Sequence, residues 1–183
     1  MRPAKIIPKI FIGLGNPGDR YQHTRHNLGY LSIDSFTERH QLGDLKDDKK
    51  SDGSILKSTL HEKEFLMFKS SRYMNESGLS VNRLRKYRNI NMQDICIIHD
   101  DLDLDVGEVR IKYSGGHGGH NGVKDVIKFN DQDFYRIKIG IKNHFFLSKE
   151  IKPEFFVLDK FDKDEKKKIE EFKKLLNENF EYI

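Results

Sequence analysis

Ile10-Phe11-Ile12-Gly13-Leu14-Gly15-Asn16-Pro17-Gly18 is an apolar run that ends abruptly in glycine, asparagine and proline. Branched and aromatic residues followed by turn formers predict a short buried strand running into a tight turn. A polar stretch, Asp19 to His26, comes next, and a helix is expected from about Asn27 with Leu28, Leu31 and Phe36 on its apolar stripe. A strand, a turn and a helix in that order open an α/β fold. The spacing Gly13-x-Gly15-x-x-Gly18 also matches a dinucleotide-binding fingerprint, whose mechanism needs a helix starting at the third glycine and an acidic residue about 20 positions on. Here Pro17 delays the helix, and the available acids, Asp34 and Glu38, fall inside it. The motif therefore reads as a turn, with a dinucleotide oxidoreductase kept as a competing hypothesis that cofactor-binding measurements would detect.

The alternation continues on the C-terminal side. Residues 43–53 are polar and charged and read as a surface loop, and residues 54–60 and 64–69 read as a hairpin. Val81, Leu84 and Tyr87 mark a second helix behind the possible cap region Asn75-Glu76-Ser77. Residues 94–99 form a continuous apolar run, as expected for a strand covered on both faces. Residues 107–113 alternate, with Val109, Ile111 and Tyr113 facing one way and Arg110 and Lys112 the other. A glycine-rich loop, residues 115–122, leads into a third helix carrying Val123, Val126 and Ile127. A further strand follows, with Ile137, Ile139 and Ile141 inward and Arg136 and Lys138 outward. From Asp162 an amphipathic helix carries Ile169, Phe172 and Leu176. No repeat or linker divides the chain, so residues 1–183 are expected to form one domain. The fold class is α/β: a three-layer sandwich with a mixed, twisted sheet between helices.

Composition narrows the function. The net charge of +4 is compatible with an RNA partner without requiring one, because much of the lysine sits beside acidic residues. No apolar run approaches membrane-spanning length, and the N-terminal residues lack a signal-peptide core, so a cytoplasmic location is expected. The single cysteine, Cys96, lies in an apolar strand and reads as a buried thiol.

Three segments carry more chemistry than ordinary loops: residues 13–29, residues 73–78, and residues 99–103 together with 115–122. Ester hydrolysis needs a base that titrates near neutrality to activate water, and histidine is the default candidate. His26 sits in a polar turn at a helix start. Asp100, at the end of a buried strand, could hold the imidazole tautomer and stabilise the imidazolium. No serine or cysteine nucleophile recommends itself, which favours direct attack by water. Asn16, Asn75 and Asn121 each offer an amide that donates and accepts, as an uncharged peptide main chain requires. The glycine loop could present backbone N–H groups at a helix start to an oxyanion. A metal site is the rival reading of His99, Asp100, Asp101, Asp103, His117 and His120. However, Asp101-x-Asp103-x-Asp105 lacks the later glycine and glutamate of a calcium loop, and His117 and His120 lie in a loop instead of at helical ligand spacing. The expectation is no metal and no cofactor.

With these residues in view, the sequence resembles the bacterial-type peptidyl-tRNA hydrolase family. The resemblance rests on residues 13–29, on Met74-Asn75-Glu76-Ser77-Gly78 and on residues 118–122, and runs from about Lys9 to Phe161. It implies hydrolysis of the ester between a peptide, or N-blocked aminoacyl group, and the 3′ end of tRNA, which recycles tRNA from peptidyl-tRNA dropped off ribosomes. It assigns His26 as the base and Asp100 as its support. It places Asn16 and Asn121 at the peptide, with Asn16 discriminating against a free amine, and Tyr21, Tyr73 and Asn75 along the same cleft. Lys112 and Lys138 match positions that grip a tRNA phosphate, although the family usually has arginine where Lys138 stands, and lysine lacks the planar fork. The implied partner is peptidyl-tRNA alone, bound through its acceptor end and its peptide, with no membrane, no obligate protein partner and a monomeric state. Two departures stand out: the bulky His144-Phe145-Phe146-Leu147 within residues 143–151, and Arg72 in place of a small hydroxyl residue. A non-enzymatic RNA-binding module is the second alternative, and it leaves the pairing of His26 with Asp100 unexplained.

Overall fold

The computed structural model describes residues 8–148 and 151–179. Ile10–Gly13 forms the first strand, β1, and Leu28–Arg39 the helix α1. The hairpin is β3 (Gly53–Leu60) and β4 (Lys63–Ser70), closed by His61 and Glu62, both at positive φ as a two-residue turn with the hairpin twist requires. Residues 43–53 are not wholly loop: Lys46–Asp48 adds a short strand, β2, antiparallel to β3. Three charged residues gave no period that could reveal it. The chain continues through α2 (Ser77–Arg88), β5 (Ile95–Asp105), β6 (Val109–Tyr113), α3 (Asn121–Phe129) and β7 (Tyr135–Lys142). It ends with the short helices α4 (His144–Leu147) and α5 (Pro153–Phe156), then α6 (Lys163–Asn179). Asn143 caps α4 by accepting the Phe146 N–H at 3.0 Å.

The seven strands form one mixed sheet in the order β2-β3-β4-β1-β5-β7-β6. β4, β1, β5 and β7 are mutually parallel, while β2, β3 and β6 run against their neighbours. One face packs Phe11, Ile98, Ile137, Ile139 and Ile141 against Leu28, Ile33 and Phe36 of α1 and Ile169 of α6. The other packs Ile12, Ile95, Ile97 and Phe134 against Val81 and Leu84 of α2 and Val123 and Val126 of α3. This is the expected three-layer α/β domain. Cys96 is fully buried in the first core, and burial pushes its thiol pKa upward. Phe172 and Leu176 of the expected C-terminal stripe lie outside the residues whose side chains are described.

β6 is an edge strand exposed along its length, so neither the face of Val109, Ile111 and Tyr113 nor that of Arg110 and Lys112 is covered. Alternation reports two-sidedness but not which side is covered. One sequence expectation is corrected: Arg136 does not face outward; it is 2% exposed and donates to the carbonyls of Gly116, at 2.6 Å, and Gly115.

Gly13, Gly15 and Gly29 serve packing, whereas Gly18 supplies a positive φ in the turn. A Cβ on Gly29 would lie 2.3 Å from the Ile98 carbonyl oxygen and 2.5 Å from Leu14 N and O, so α1 crosses β1 and β5 with backbone against backbone. This close crossing seats the α1 N-terminus at the carboxyl ends of the parallel strands. In open α/β sheets that edge, where the crossovers diverge from a central strand, is where ligands bind. Gly29→Ala should therefore destabilise the protein by about 3 kcal/mol or more, the upper end for overpacking, because the gain in helix propensity is at most about 1 kcal/mol. Urea denaturation checks this, and an unchanged midpoint would contradict the crossing geometry.

Candidate active site

The site is assembled from the chain segments that leave the carboxyl ends of β1, β4 and β5. β1 ends at Gly13 beside Ile98, and Leu14 N–H still bonds the Ile98 carbonyl at 2.9 Å, whereas β5 runs on. Asp100 thus lies two residues beyond the end of the neighbouring strand, at the open edge of the sheet. The short 3₁₀ turn Arg25–Asn27, which enters α1, brings His26 over it. His26 Nδ1 lies 3.0 Å from both Asp100 carboxylate oxygens, and both residues are buried.

His120 completes the arrangement. It is the cap of α3: its Nδ1 accepts the N–H groups of Gly122 at 3.1 Å and Val123 at 3.2 Å. Accepting there leaves the ring proton on Nε2, which lies 2.9 Å from Asp100 Oδ1 and donates to it. One carboxylate therefore receives two imidazole donors. Burial opposes its charge, but His26 and His120 outweigh burial and hold the Asp100 pKa far below the carboxylate range. Burial likewise opposes a charged His26, and Asp100, by charge and by hydrogen bond, overcomes it and raises the imidazole pKa. Because Nδ1–H points at the carboxylate, His26 Nε2 carries the free lone pair, and both side-chain hydrogen bonds of His26 among the described residues run through Nδ1. His99, beneath, donates Nδ1–H to the Asp100 carbonyl at 2.7 Å and packs edge-on to His120 with centroids 4.7 Å apart. Burial first, and His120 second, lower its pKa to about 3, so it stays neutral and acts as an aromatic wall.

Asn16 is held from both sides. Its N–H and carbonyl bond the Asn27 side chain at 2.8 and 2.9 Å, and its Oδ1 accepts the Met74 N–H at 2.8 Å. The amide Nδ2 is left to donate. Met74 in turn reaches Gly122, where a Cβ would lie 2.4 Å from its sulfur. Asn75 and Asn121, the exposed neighbours of Met74 and Gly122, therefore border one rim with Asn16. Neither caps a helix through its side chain: Glu76 precedes α2 and His120 caps α3. Tyr21 and Tyr73 meet edge to face across the rim at 6.2 Å, with Tyr73 half exposed. A cavity of about 310 Å³ opens behind the Asn16 turn, lined by Asn27, Tyr30, Asp34 and Lys69 but not by His26 or Asp100.

The expected oxyanion donors at the start of α3 are not available, since His120 Nδ1 already occupies the Gly122 and Val123 N–H groups. His117 bonds its own loop, accepting Gly119 N–H at 3.0 Å. Ligand atoms of His26, Asp100 and His120 lie within 4.8 Å of one another, close enough to enclose a cation. The separations of 2.9–3.0 Å and the tautomer imposed on His120 are those of hydrogen bonds. Of the two candidate phosphate contacts, Lys112 is exposed beside Gly115. Lys138 is bound at 2.6 Å to Asp101 and mostly covered, so it is not the freely projecting lysine that alternation implied. Sequence reasoning missed the cap role of His120, which depends on a loop shaped by positive φ at Ser114, Gly115, Gly118 and Gly119. The glycine density was its only advance signal.

A family model described as peptidyl-tRNA hydrolase matches residues 10–183. The chain belongs to the peptidyl-tRNA hydrolase family. It is 39% identical to the peptidyl-tRNA hydrolase of Aliarcobacter butzleri, over 88% of this chain and 84% of that one. It is 37% identical to that of Clostridium acetobutylicum, over 94% and 89%. Among solved structures, a crystal structure of the Acinetobacter baumannii peptidyl-tRNA hydrolase superposes with a TM-score of 0.82 at 31% identity, covering 94% of this chain and 89% of that one. A point mutant of the same enzyme gives 0.83 at 32% identity, covering 91% and 83%.

Asp100→Asn removes the charge that raises the His26 pKa while burial still opposes protonation. On the expectation that His26 is the base, the acid limb of the rate profile should then move to lower pH. Turnover should also fall by about 10² to 10⁴, as when the carboxylate that fixes a catalytic tautomer is lost. A pH–rate profile that keeps its wild-type acid limb would remove Asp100 from this role.

Proposed function

We propose that the protein hydrolyses the ester between a peptide and the 3′ ribose of tRNA, by direct attack of water activated at His26. The observation that carries this reading is the free Nε2 of a histidine whose other nitrogen is held by a buried carboxylate. In the reaction, Nε2 takes a proton from water as the water oxygen bonds the ester carbonyl carbon. The resulting imidazolium is stabilised by Asp100, and the ring returns the proton to the departing ribose oxygen as the carbon–oxygen ester bond breaks. Products are a free peptide acid and tRNA with its terminal hydroxyl restored.

Asn16 Nδ2 donates to a carbonyl of the peptide end, and its fixed Oδ1 gives it one orientation. Asn75 and Asn121 offer further amides along the rim, and Tyr21 and Tyr73 form its aromatic edge. Lys112 contacts a tRNA phosphate; Lys138 does so only where a phosphate replaces Asp101 as its partner. The substrate thus bridges the amide rim and the lysine-bearing face of β6. This reading takes the protein as one domain acting in the cytoplasm as a monomer, without cofactor or metal. Among the described residues, no helix is long and apolar enough to cross a membrane.

An N-acetylated aminoacyl-tRNA should be cleaved to acetyl-amino acid and intact tRNA, with no loss of rate in chelator. His26→Ala should lower turnover by about 10² or more, the range for losing a general base. Full activity in that variant would eliminate the mechanism. Binding of tRNA without any hydrolysis by the unaltered protein would favour a binding module instead. Lys112→Ala should flatten the dependence of log affinity on log salt by about 1, one released counterion's share, and an unchanged slope would remove its phosphate contact.

A further inference from the structure

Outside the histidine–aspartate cluster, the most completely bonded buried ionic group in the described residues is Arg25 with Glu165, 140 positions apart. Arg25 Nε and Nη2 meet Glu165 Oε1 and Oε2 at 3.1 and 2.7 Å, side by side, and both side chains are almost wholly buried. Each carboxylate oxygen takes a second donor: Asn143 Nδ2 at 2.8 Å on Oε1, and the Asp162 N–H at 2.8 Å on Oε2. Glu165 N–H returns a bond to Asp162 Oδ1 at 2.8 Å, closing a reciprocal cap at the start of α6. The guanidinium stacks on Phe156, 4.1 Å above its centroid, and its Nη1 donates to the Phe156 carbonyl at 3.1 Å.

The residue next to Arg25 is His26, and its main-chain N–H bonds the Val157 carbonyl at 2.8 Å. Arg25 N–H bonds the Asp159 carbonyl at 3.0 Å, and Thr24 bridges to Lys160. Consecutive carbonyls of one segment are thus read by the Arg25 side chain and the His26 main chain. A buried ion pair is a poor source of net stability, since well-packed apolar residues of similar volume are often as stable or more so. What a bidentate, planar pair supplies is orientation.

We propose that Arg25 and Glu165 are positioning residues for the hydrolytic reaction: they fix residues 156–161 and the start of α6 against the turn carrying His26, and so set the imidazole over Asp100. The proposal rests on His26 as the base. Neither side chain touches the reacting atoms; the pair acts through the His26 backbone. The charged and titratable groups facing the His26 ring are Asp100 and His120, with neutral His99 behind His120. A displaced ring loses Asp100 first.

The test is the double variant R25M/E165M of the full chain, which removes the charges together and keeps the apolar packing on Phe156. Its urea midpoint should stay near wild type. On N-acetylated aminoacyl-tRNA its kcat should fall about 10-fold or more, as sub-ångström to ångström misplacement of a catalytic group costs. KM should change less than about twofold, and the acid limb of the pH–rate profile should move to lower pH as His26 loses the contact that raises its pKa. A folded double variant with wild-type kcat and profile would overturn the proposal. Should that variant not fold, R25K serves, keeping charge without the fork: the same kcat loss and shifted limb support the proposal, and wild-type kinetics refute it. His26→Ala run in parallel separates the two claims. An inactive His26→Ala beside a fully active double variant defeats only the positioning role, whereas an active His26→Ala defeats the base assignment on which it rests.

Discussion

The Asp100 carboxylate, buried in β5 just beyond the end of β1 and bonded by two imidazoles, is the interaction on which the rest of the site depends. A carboxylate withdrawn from water is costly unless its oxygens are satisfied. Here His26 and His120 satisfy it, and in doing so each ring is fixed in one tautomer. His120 is fixed twice over, because α3 takes its other nitrogen as a cap. His26 is fixed once, and its second nitrogen is left to work. The asymmetry between two neighbouring histidines, one spent on structure and one free for chemistry, comes from which backbone each ring meets.

The fold delivers this arrangement through close backbone contacts. Gly13 and Gly29 let α1 cross β1 and β5 without side chains between them, so the turn before α1 sits directly at the sheet edge. The same turn is tied to the far end of the sequence through Val157, Asp159 and Glu165. The His26 ring is therefore held by the first and last thirds of the chain, and Asp100 belongs to the middle.

Much of this was legible beforehand, and particular residues show why. The alternation of strands and helices, and apolar runs such as Ile95 to Ile98, gave the layered fold because burial on two faces leaves a continuous apolar signature. His26, Asp100 and Asn16 stood out because they fall at positions the family resemblance marks; a lone histidine at a helix start reads as readily as a cap or a surface residue. What pattern could not reveal was set by tertiary neighbours. Arg136 alternates like a surface residue, yet the glycine loop folds over it and gives it carbonyl partners. Ile111 alternates like a core residue, yet β6 ends the sheet and nothing covers it among the described residues. Lys138 carries the right charge at the right register, and Asp101 claims it. The pairing of Arg25 with Glu165 spans too much sequence to leave any local trace.

The proposed water activation requires His26 to be a Nδ1–H tautomer whose free Nε2 is the base. Two-dimensional ¹⁵N–¹H spectra of the histidine rings through a pH titration measure this directly. The expected result is a neutral His26 with its proton on Nδ1 and a pKa above the ordinary imidazole value. A His26 ring protonated on Nε2 at neutral pH, or titrating below that value, would contradict it.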